Sequence, residues 1–243
     1  MEMRVLWLFL FAGSVAQEDM DRNVFLFSTP SKTDYVVLNP EVTEPLHNLT
    51  FCLRSYTDQM NQALLTTGTP QSQKRNMFVI FQSPTDYIQT SPYFYTSIYI
   101  NNTLVSIKTK AVVLDWIHRC VTWDSNTGVL QLWVNGKVFP RRVLQKGFSI
   151  DLGEGISLGQ MQKDDWSPTP PFQGEISDVH MWNEVLPPET IWQVLLNNRY
   201  INGNVISWRS LNYTIIGDVT VQPKLQCRYG NEPRSLHSQC SMD

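Results

Sequence analysis

The sequence has 243 residues, of which 42% are hydrophobic and 17% are charged, and its formal net charge at pH 7 is −3. This length accommodates one domain of the larger all-β kind. The slightly negative charge gives no field that attracts nucleic acid or an anionic membrane, which excludes the strongly basic classes of binding protein.

The first sixteen residues, MEMRVLWLFLFAGSVA, predict a secretory signal peptide. Arg4 provides the basic start, residues 5–12 form a short apolar run, and small residues stand at Ser14 and Ala16. The run is too short to cross a bilayer, and no later stretch of about 18 apolar residues follows it. We therefore expect residues 1–16 to be removed, leaving a secreted, extracellular chain without a membrane span.

Short β-rich runs separated by turn residues recur along the rest of the chain. Those of strand length are NVFLF, DYVVL, LTFCLRS, MFVIF, YFYTSIYI, LVSIK, HRCVTW, GVLQLWV and GISLG. A parallel α/β sheet would need helices between such runs, so the pattern predicts an all-β antiparallel sandwich or jelly roll.

Residues 118–139 predict three consecutive antiparallel strands. Asp124 to Gly128 supplies the first turn, and the pair Asn135-Gly136 is the strongest short hairpin signal in the chain. In the middle strand Leu130, Leu132 and Val134 form the more apolar set. We expect that set to face the core, which leaves Trp133 on the outer face or at a sheet edge.

The segment PPETIWQVLLNN predicts one short helix lying on the sandwich. Pro187 and Pro188 suit its start, and Asn197 is available to end it. Ile191, Val194 and Leu195 would share its buried face. Since no repeat or low-complexity linker divides the chain, we expect a single domain over residues 17–225 and a cysteine-containing tail over residues 226–243.

Four cysteines on a secretory route are expected to form disulfides. Cys52 and Cys120 lie in strand-like runs, whereas Cys227 and Cys240 lie in the polar tail. The simplest pairing joins the first two and the last two. Four cysteines allow three connectivities, however, and the tail cysteines could also bond to another subunit.

Three sequons are candidate N-glycosylation sites in a secreted chain, at Asn48, Asn101 and Asn212. Asn101 is the best placed because Asn-Asn between two apolar runs predicts an exposed turn. The other two lie near strands that could pair before a transferase reaches them.

Enzyme motifs for acyl transfer, zinc hydrolysis and phosphate binding are missing from the sequence. The histidines His47, His118, His180 and His237 are scattered without metal-ligand spacing. No nucleophile stands beside a base, and no carboxylate pair is placed by spacing. We therefore expect a binding protein rather than an enzyme.

The segment HRCVTWDS, residues 118–125, matches the pattern H-x-C-x-S/T-W-x-S that marks the pentraxin family. Further stretches resemble short pentraxins of the C-reactive protein and serum amyloid P type, from about Asp19 to Leu225: DMDRNVFLF, EPLHNLTFCLRSY, LQLWVNGK, ISLGQ, GEISDVHMWNEVLPPETI and VISWRSLNY. The residues after Leu225 fall outside the resemblance.

The resemblance implies a flattened jelly roll with a Cys52–Cys120 disulfide, assembled as a cyclic homopentamer. It also implies two calcium ions on one face that hold phosphocholine, phosphoethanolamine or acidic carbohydrate on cells or microbes. Complement or receptors would bind the other, helix-bearing face. A ring of weak sites gains avidity, since each bound site raises the effective concentration of the next.

The calcium ligands that the resemblance implies are mostly replaced. An expected Asp-Asn pair is Arg75-Asn76 here, and the expected loop L-G-Q-E-Q-D reads L-G-Q-M-Q-K, which keeps only Gln162 among three ligands. Asp164 or Asp165 could compensate if the loop shifts by one residue. Added cations at Arg75 and Lys163 oppose a divalent ion, so we expect calcium binding to be weak, absent, or single and remodelled.

Two residues correspond to the choline pocket of the family, Phe81 and Thr90. Phe81 is also the end of an apolar strand, so a place in the strand core is an equal alternative. Arg75 and Lys163 could instead hold an anionic head group without metal, because both are cations in the loops concerned.

The sequence therefore predicts a secreted pentraxin-like pattern-recognition lectin with a degenerate calcium site. The alternative is an interaction or structural protein that keeps the fold and the ring but has lost calcium-dependent ligand binding. An extracellular enzyme ranks third.

Overall fold

The structure, a computed structural model, describes residues 17–40, 42, 44–73, 76–86, 91–101, 103–110, 115–161, 170–228 and 239–242. Within these ranges the chain folds into two large antiparallel sheets, which we call sheet I and sheet II, a separate two-stranded hairpin and one α-helix. No helix among the described residues is long and apolar enough to cross a membrane.

Sheet I has the strand order β10-β9-β8-β3-β13-β1-β15, and β11 also pairs with β9. Its strands are β1 (Asn23–Phe27), β3 (Asn48–Tyr56), β8 (Ile117–Asp124), β9 (Val129–Val134), β10 (Lys137–Val138), β11 (Arg142–Val143), β13 (Gly174–Trp182) and β15 (Thr220–Pro223).

Sheet II has the strand order β14-β2-β12-β4-β5-β6-β7. Its strands are β2 (Tyr35–Leu38), β4 (Gln62–Thr67), β5 (Phe78–Pro84), β6 (Tyr93–Ile100), β7 (Thr103–Lys110), β12 (Ile156–Leu158) and β14 (Tyr213–Ile216). Strands distant in sequence therefore lie side by side, as expected for a jelly roll rather than a meander.

The core lies between the two sheets. Alternating strand residues point inward from both sides, so that Leu53 and Val121 of sheet I meet Ile80 and Ile98 of sheet II in one buried cluster. The all-β jelly-roll prediction is confirmed, and each of the nine predicted runs contains a strand.

The predicted hairpin is present. Asn135 and Gly136 have φ values of 46° and 76°, the left-handed conformation that a tight two-residue hairpin requires. Leu130 and Leu132 are buried in the core, whereas Trp133 lies on the outer face of sheet I, as the alternation predicts.

The helix α1 (Pro188–Leu195) lies on the outer face of sheet I. It begins at the second proline and is followed by Asn197 at φ 56°, a left-handed residue of the kind that ends helices. Its residues Ile191 and Val194 are buried against sheet I. The start, the end and two of the three residues of the buried face thus agree with the sequence prediction, whereas Leu195 is only half-buried.

A disulfide joins Cys52 of β3 to Cys120 of β8 under this helix. The two residues are direct cross-strand partners with a Cα–Cα distance of 4.1 Å. Both are fully buried and pack with Trp182, Ile191 and Val194.

The tail forms a separate two-stranded hairpin from β16 (Leu225–Arg228) and β17 (Gln239–Met242). Its antiparallel register places Cys227 directly opposite Cys240.

Candidate ligand-binding face

The segment where the calcium site is expected starts from a rigid base on sheet II. Gly159 has φ 83°, and a Cβ there would come within 2.3 Å of the Phe27 ring. Its N–H donates to Leu64 O, and its own carbonyl accepts from Phe172 N–H at 2.8 Å. The two ends of the intervening segment, Gly159 and Phe172, are therefore joined directly to each other.

Asn76 is the one proposed calcium ligand that the structure describes. It lies just before β5 with φ 57° and is 5% exposed. Its Oδ1 accepts a hydrogen bond from Thr66 Oγ1 at 2.8 Å, and its N–H donates to Thr67 O. The side chain thus ties β4 to the start of β5, which leaves less acceptor capacity for an ion.

The other proposed calcium ligands and anion-binding cations lie outside the described residues, namely Arg75, Gln162, Lys163, Asp164 and Asp165. So does Thr90. Within the described part of the chain, three potential metal-ligating side chains come together at one place, Cys52, His118 and Cys120, and two of these form the disulfide. The described residues therefore do not by themselves assemble a calcium site.

Phe81 lies on the outer face of sheet II, not in the core. Along β5, Phe78 and Ile80 point inward, so Val79 and Phe81 point outward. Phe81 therefore lies outside the core between the sheets, in a buried apolar cluster of its own on the outer face of sheet II.

This outward position is already covered by the protein itself. Val79, Phe81 and Tyr99 form a small apolar cluster, and Met161 packs against it. Only 5% of Phe81 is exposed. Met161 stands where the family resemblance implies a calcium-binding Glu, so this residue both lacks the carboxylate and covers the apolar surface. A flexible thioether side chain suits such gap filling.

Gln160, beside Met161, has a structural role. It is almost fully buried, and its amide donates to the backbone carbonyl of Lys32 in the β1–β2 connection. Its side chain is therefore used to hold the loop against the sheet.

A buried ionic cluster that the sequence did not reveal lies in sheet I. Asp178, at a bulge of β13 with φ 51°, binds Arg54 Nε at 3.0 Å and the Lys224 ammonium. Burial alone would raise the pKa of Asp178, but Lys224 and Arg54 outweigh it and hold that pKa below its usual range. Lys224 also lies 4.9 Å from the centroid of the Trp116 ring.

This cluster fixes the start of the tail, because Lys224 directly precedes β16. No sequence signal pointed to it. The three charged residues are far apart in the chain, and Asp178 stands in a run that is otherwise typical of a strand.

The helix-bearing face exposes apolar side chains. Trp192 is 50% exposed, Leu196 is 60% exposed and Tyr200 is 93% exposed. Val185 lies exposed just before the helix. This group, which we call the helix-side apolar patch, is on the opposite side of the sandwich from Phe81 and Met161.

The three sequons differ in their surroundings. Asn101 lies in the β6–β7 turn with φ 36° and is half-buried. Asn212 is at the surface, where its Oδ1 accepts from Asn39 Nδ2 at 3.2 Å. With its side-chain nitrogen facing the neighbouring acceptors, Asn48 donates a hydrogen bond to Asp124 Oδ1 at 2.9 Å.

The Asn48 sequon is further tied into the fold through its threonine. Thr50 is fully buried and donates to Glu184 O at 2.7 Å. Glycosylation there would have to precede folding.

Comparisons with known proteins agree with one another. The Pentaxin family model matches residues 23–223. C-reactive protein of Xenopus laevis is 44% identical over 99% of both chains, and serum amyloid P-component of Rattus norvegicus is 34% identical over 93% of this chain and 97% of its own. Among solved structures, the native heptameric SAP-like pentraxin of Limulus polyphemus has a TM-score of 0.71 at 20% identity, covering 84% of this chain and 96% of that one.

Proposed function

Because this chain belongs to the Pentaxin family, we propose that it is a secreted, multivalent recognition protein whose ligand binding depends little on calcium. Pattern recognition of the pentraxin type and the absence of enzymatic activity follow from the family itself, which confirms the prediction that the chain is not an enzyme. The ligand chemistry, the metal dependence and the assembly are the proposed parts.

The observation that carries the proposal is the packing of Met161 against the apolar cluster that contains Phe81. A choline-type ligand needs an open apolar surface, a calcium-bound phosphate, or both. Here the apolar surface is covered and one implied carboxylate ligand is replaced by the residue that covers it. This packing therefore supports acidic carbohydrate or phosphate groups held by cations as ligands more than it supports calcium-bound phosphocholine.

The proposed test restores the missing carboxylates. We expect the natural chain to bind calcium with a Kd weaker than about 1 mM, the weak limit for extracellular calcium modules. The triple variant Arg75→Asp, Met161→Glu, Lys163→Asp should bind at least about tenfold more tightly and melt at a higher temperature when calcium is added. Isothermal titration calorimetry and thermal melting measure the two effects.

Arg22→Asp with Arg199→Asp is the control variant, because it makes two charge reversals on exposed residues away from this loop. Tight two-site calcium binding by the natural chain would overturn the proposal. So would a triple variant no better than the control.

We also propose that subunits assemble into a ring, and two complementary surfaces support this. The first, the basic edge, consists of exposed residues on and around β10 and β11: Lys137, Val138, Arg141, Arg142, Val143 and Lys146. None of its four cations has a carboxylate within ion-pair distance among the described residues.

The second surface is a groove of about 260 Å³ at the ends of β1, β3 and β13. Tyr56, Asp58 and Glu175 line it, and burial raises the pKa of Glu175. Strands β8 and β9 separate it from the basic edge in sheet I. Two different complementary surfaces on one chain favour head-to-tail contacts, which form a ring when the rotation between successive subunits closes. We propose a pentamer from the family resemblance, while the heptameric Limulus relative makes seven subunits the main alternative.

The second candidate function, an interaction protein without ligand binding, is supported by the helix-side apolar patch. Exposed Trp192 and Tyr200 are residue types enriched at protein interfaces. Complement or receptors are the partners that the family resemblance implies for this face. Retention of partner binding by a Trp192→Ala, Tyr200→Ala variant would contradict this use of the patch.

For the tail we propose a Cys227–Cys240 disulfide within one chain, supported by their opposed positions in the β16–β17 register. A non-reducing gel that shows chains linked through the tail would contradict it.

A further inference from the structure

The outer face of β6 carries tyrosines. Phe94 and Ile98 of this strand point into the core, so the alternating residues Tyr93 and Tyr95 point outward. Tyr93 is 39% exposed, which is high for a large aromatic ring in a strand. The aromatic face is therefore available at the surface of sheet II, beyond the covered cluster around Phe81.

The neighbouring strand β7 carries lysines on the same face. Val105 and Ile107 pack with the core, so Lys108 and Lys110 point outward, and both are exposed. The antiparallel register pairs Tyr93 with Lys110 and Tyr95 with Lys108. The Lys108 ammonium lies 4.7 Å from the centroid of the Tyr93 ring. We call these four residues the tyrosine–lysine strip.

Within the described part of the chain, the strip carries positive charge without a paired carboxylate. Strands β5, β6 and β7 contain no Asp or Glu. Among the described residues, neither Lys108 nor Lys110 has a carboxylate within ion-pair distance. Asp86, which follows β5, is half-buried and has interactions of its own. The field at this surface therefore favours an anion.

Lysines on an edge strand also protect a sheet from pairing with another chain, and β7 is such an edge. Protection of the edge would account for the two lysines, Lys108 and Lys110. It does not explain two outward tyrosines on the next strand inward, where protection of an edge is not needed.

We propose that the tyrosine–lysine strip binds an acidic polysaccharide chain without metal. Sugar rings would pack their C–H faces on Tyr93 and Tyr95, and sulfate or carboxylate groups would accept hydrogen bonds from Lys108 and Lys110. A trimethylammonium ligand does not fit this surface, because the strip offers it two like charges and no carboxylate. The inference rests on the proposed recognition function and names a ligand class and residues for it.

Dextran sulfate and unsulfated dextran of equal length, both in excess chelator, are suitable probes. We expect the natural chain to bind only the sulfated polymer, with an affinity that falls as salt increases. Lys108→Glu with Lys110→Glu should weaken binding by at least about tenfold. Lys108→Arg with Lys110→Arg should retain binding, and Tyr93→Leu with Tyr95→Leu should weaken it about threefold to tenfold through lost ring stacking.

Arg22→Glu with Lys32→Glu changes the net charge equally on exposed residues outside the strip and should change affinity less than about twofold, because screened surface charges act over short range. Circular dichroism and sedimentation confirm that each variant keeps its fold and assembly. If both charge-reversal pairs have equal effects, the strip is excluded while anion recognition by the molecule stands. If the natural chain binds no sulfated polymer in chelator, the strip is also excluded, and the calcium titration above then decides the proposed function.

Discussion

Arg119 is a buried cation that lacks a carboxylate partner among the described residues. It points from β8 into the core, where it donates to Ser55 Oγ at 2.8 Å and to Gln82 Oε1, and lies over the Phe94 ring. Its Nε has no partner, and burial lowers the pKa of the guanidinium to about 9. Removing such a charge should help the fold, whereas removing its acceptor should harm it.

We predict that Arg119→Met leaves the free energy of unfolding unchanged or higher. Gln82→Leu alone should lower it by about 2 kcal/mol, because the guanidinium then loses its acceptor inside the core. In the Arg119→Met background the same Gln82 substitution should cost markedly less. Urea unfolding of the four proteins measures this cycle, and additive effects would mean that the two side chains do not depend on each other.

Two buried histidines predict a loss of stability in acid. Burial, with a contribution from Arg54, lowers the pKa of His118 to about 3, and burial lowers the pKa of His180 to about 4. His180 Nδ1 faces the backbone N–H groups of Gly203 and Trp208 at 3.3 and 3.4 Å, which favour the neutral ring. The unfolded chain takes up both protons near pH 6.5, while the native chain does not.

The stabilising effect of the neutral rings is therefore complete above pH 6.5 and declines as the pH falls toward 4. Each histidine should lower the free energy of unfolding by about 1.4 kcal/mol per pH unit in that window. Urea unfolding at pH 7, 6, 5 and 4.5 measures the slope, and His118→Phe should reduce it by about half. A free energy that stays flat over this range would contradict the prediction.

At the scale of elements, the Asn135-Gly136 turn is tied to the helix. A Cβ on Gly136 would lie 2.6 Å from the Trp192 ring in addition to requiring φ 76°. Gly147 has a similar φ of 82° but nothing within 4 Å of its would-be Cβ. Comparing an alanine substitution at each glycine therefore distinguishes the cost of backbone strain from the cost of a steric clash.

We predict that Gly136→Ala lowers the free energy of unfolding by about 2–3 kcal/mol and that Gly147→Ala lowers it by about 1 kcal/mol, since both share the strain of a left-handed residue and only the first displaces Trp192. Urea unfolding followed by tryptophan fluorescence measures both losses. Equal losses would show that the helix adjusts without cost.

The elements that the sequence predicted are those with a simple local pattern. The strand β9 alternates cleanly and is bounded by two turns, and the helix has its prolines, its buried face and Asn197 in the expected places. The strand β4 was missed because all six of its residues are buried, polar and apolar alike, so no alternation is visible. Packing by neighbouring strands, and not local preference, creates that strand.

The candidate site was predictable only where it depends on residue identity. The replaced ligands around Asn76 and Gln162 can be seen in the sequence. The packing of Met161 against the apolar cluster around Phe81 cannot, because it joins segments that are far apart in the chain. The tyrosine–lysine strip likewise depends on register, which pairs Tyr95 with Lys108 across the β6–β7 turn.

At the scale of the whole molecule, the proposed ring should depend on the basic edge. Arg141→Glu with Arg142→Glu should dissociate the assembly, because two cations facing the groove of Asp58 and Glu175 become like charges. Asp58→Lys with Glu175→Lys in the same chain should restore it. Sedimentation velocity measures both, and an assembly that survives the first pair of substitutions would show that the subunits meet elsewhere.

The position of the Cys52–Cys120 bond has a consequence for the order of events during synthesis. Cys120 follows Cys52 by 68 residues, and the helix that covers the bond begins at Pro188, a further 68 residues along the chain. At about 5–20 residues per second, the two thiols emerge several seconds before their cover does. In an oxidising compartment, the bond can thus close while its surroundings are still open, and the arriving helix then seals it from later reductants.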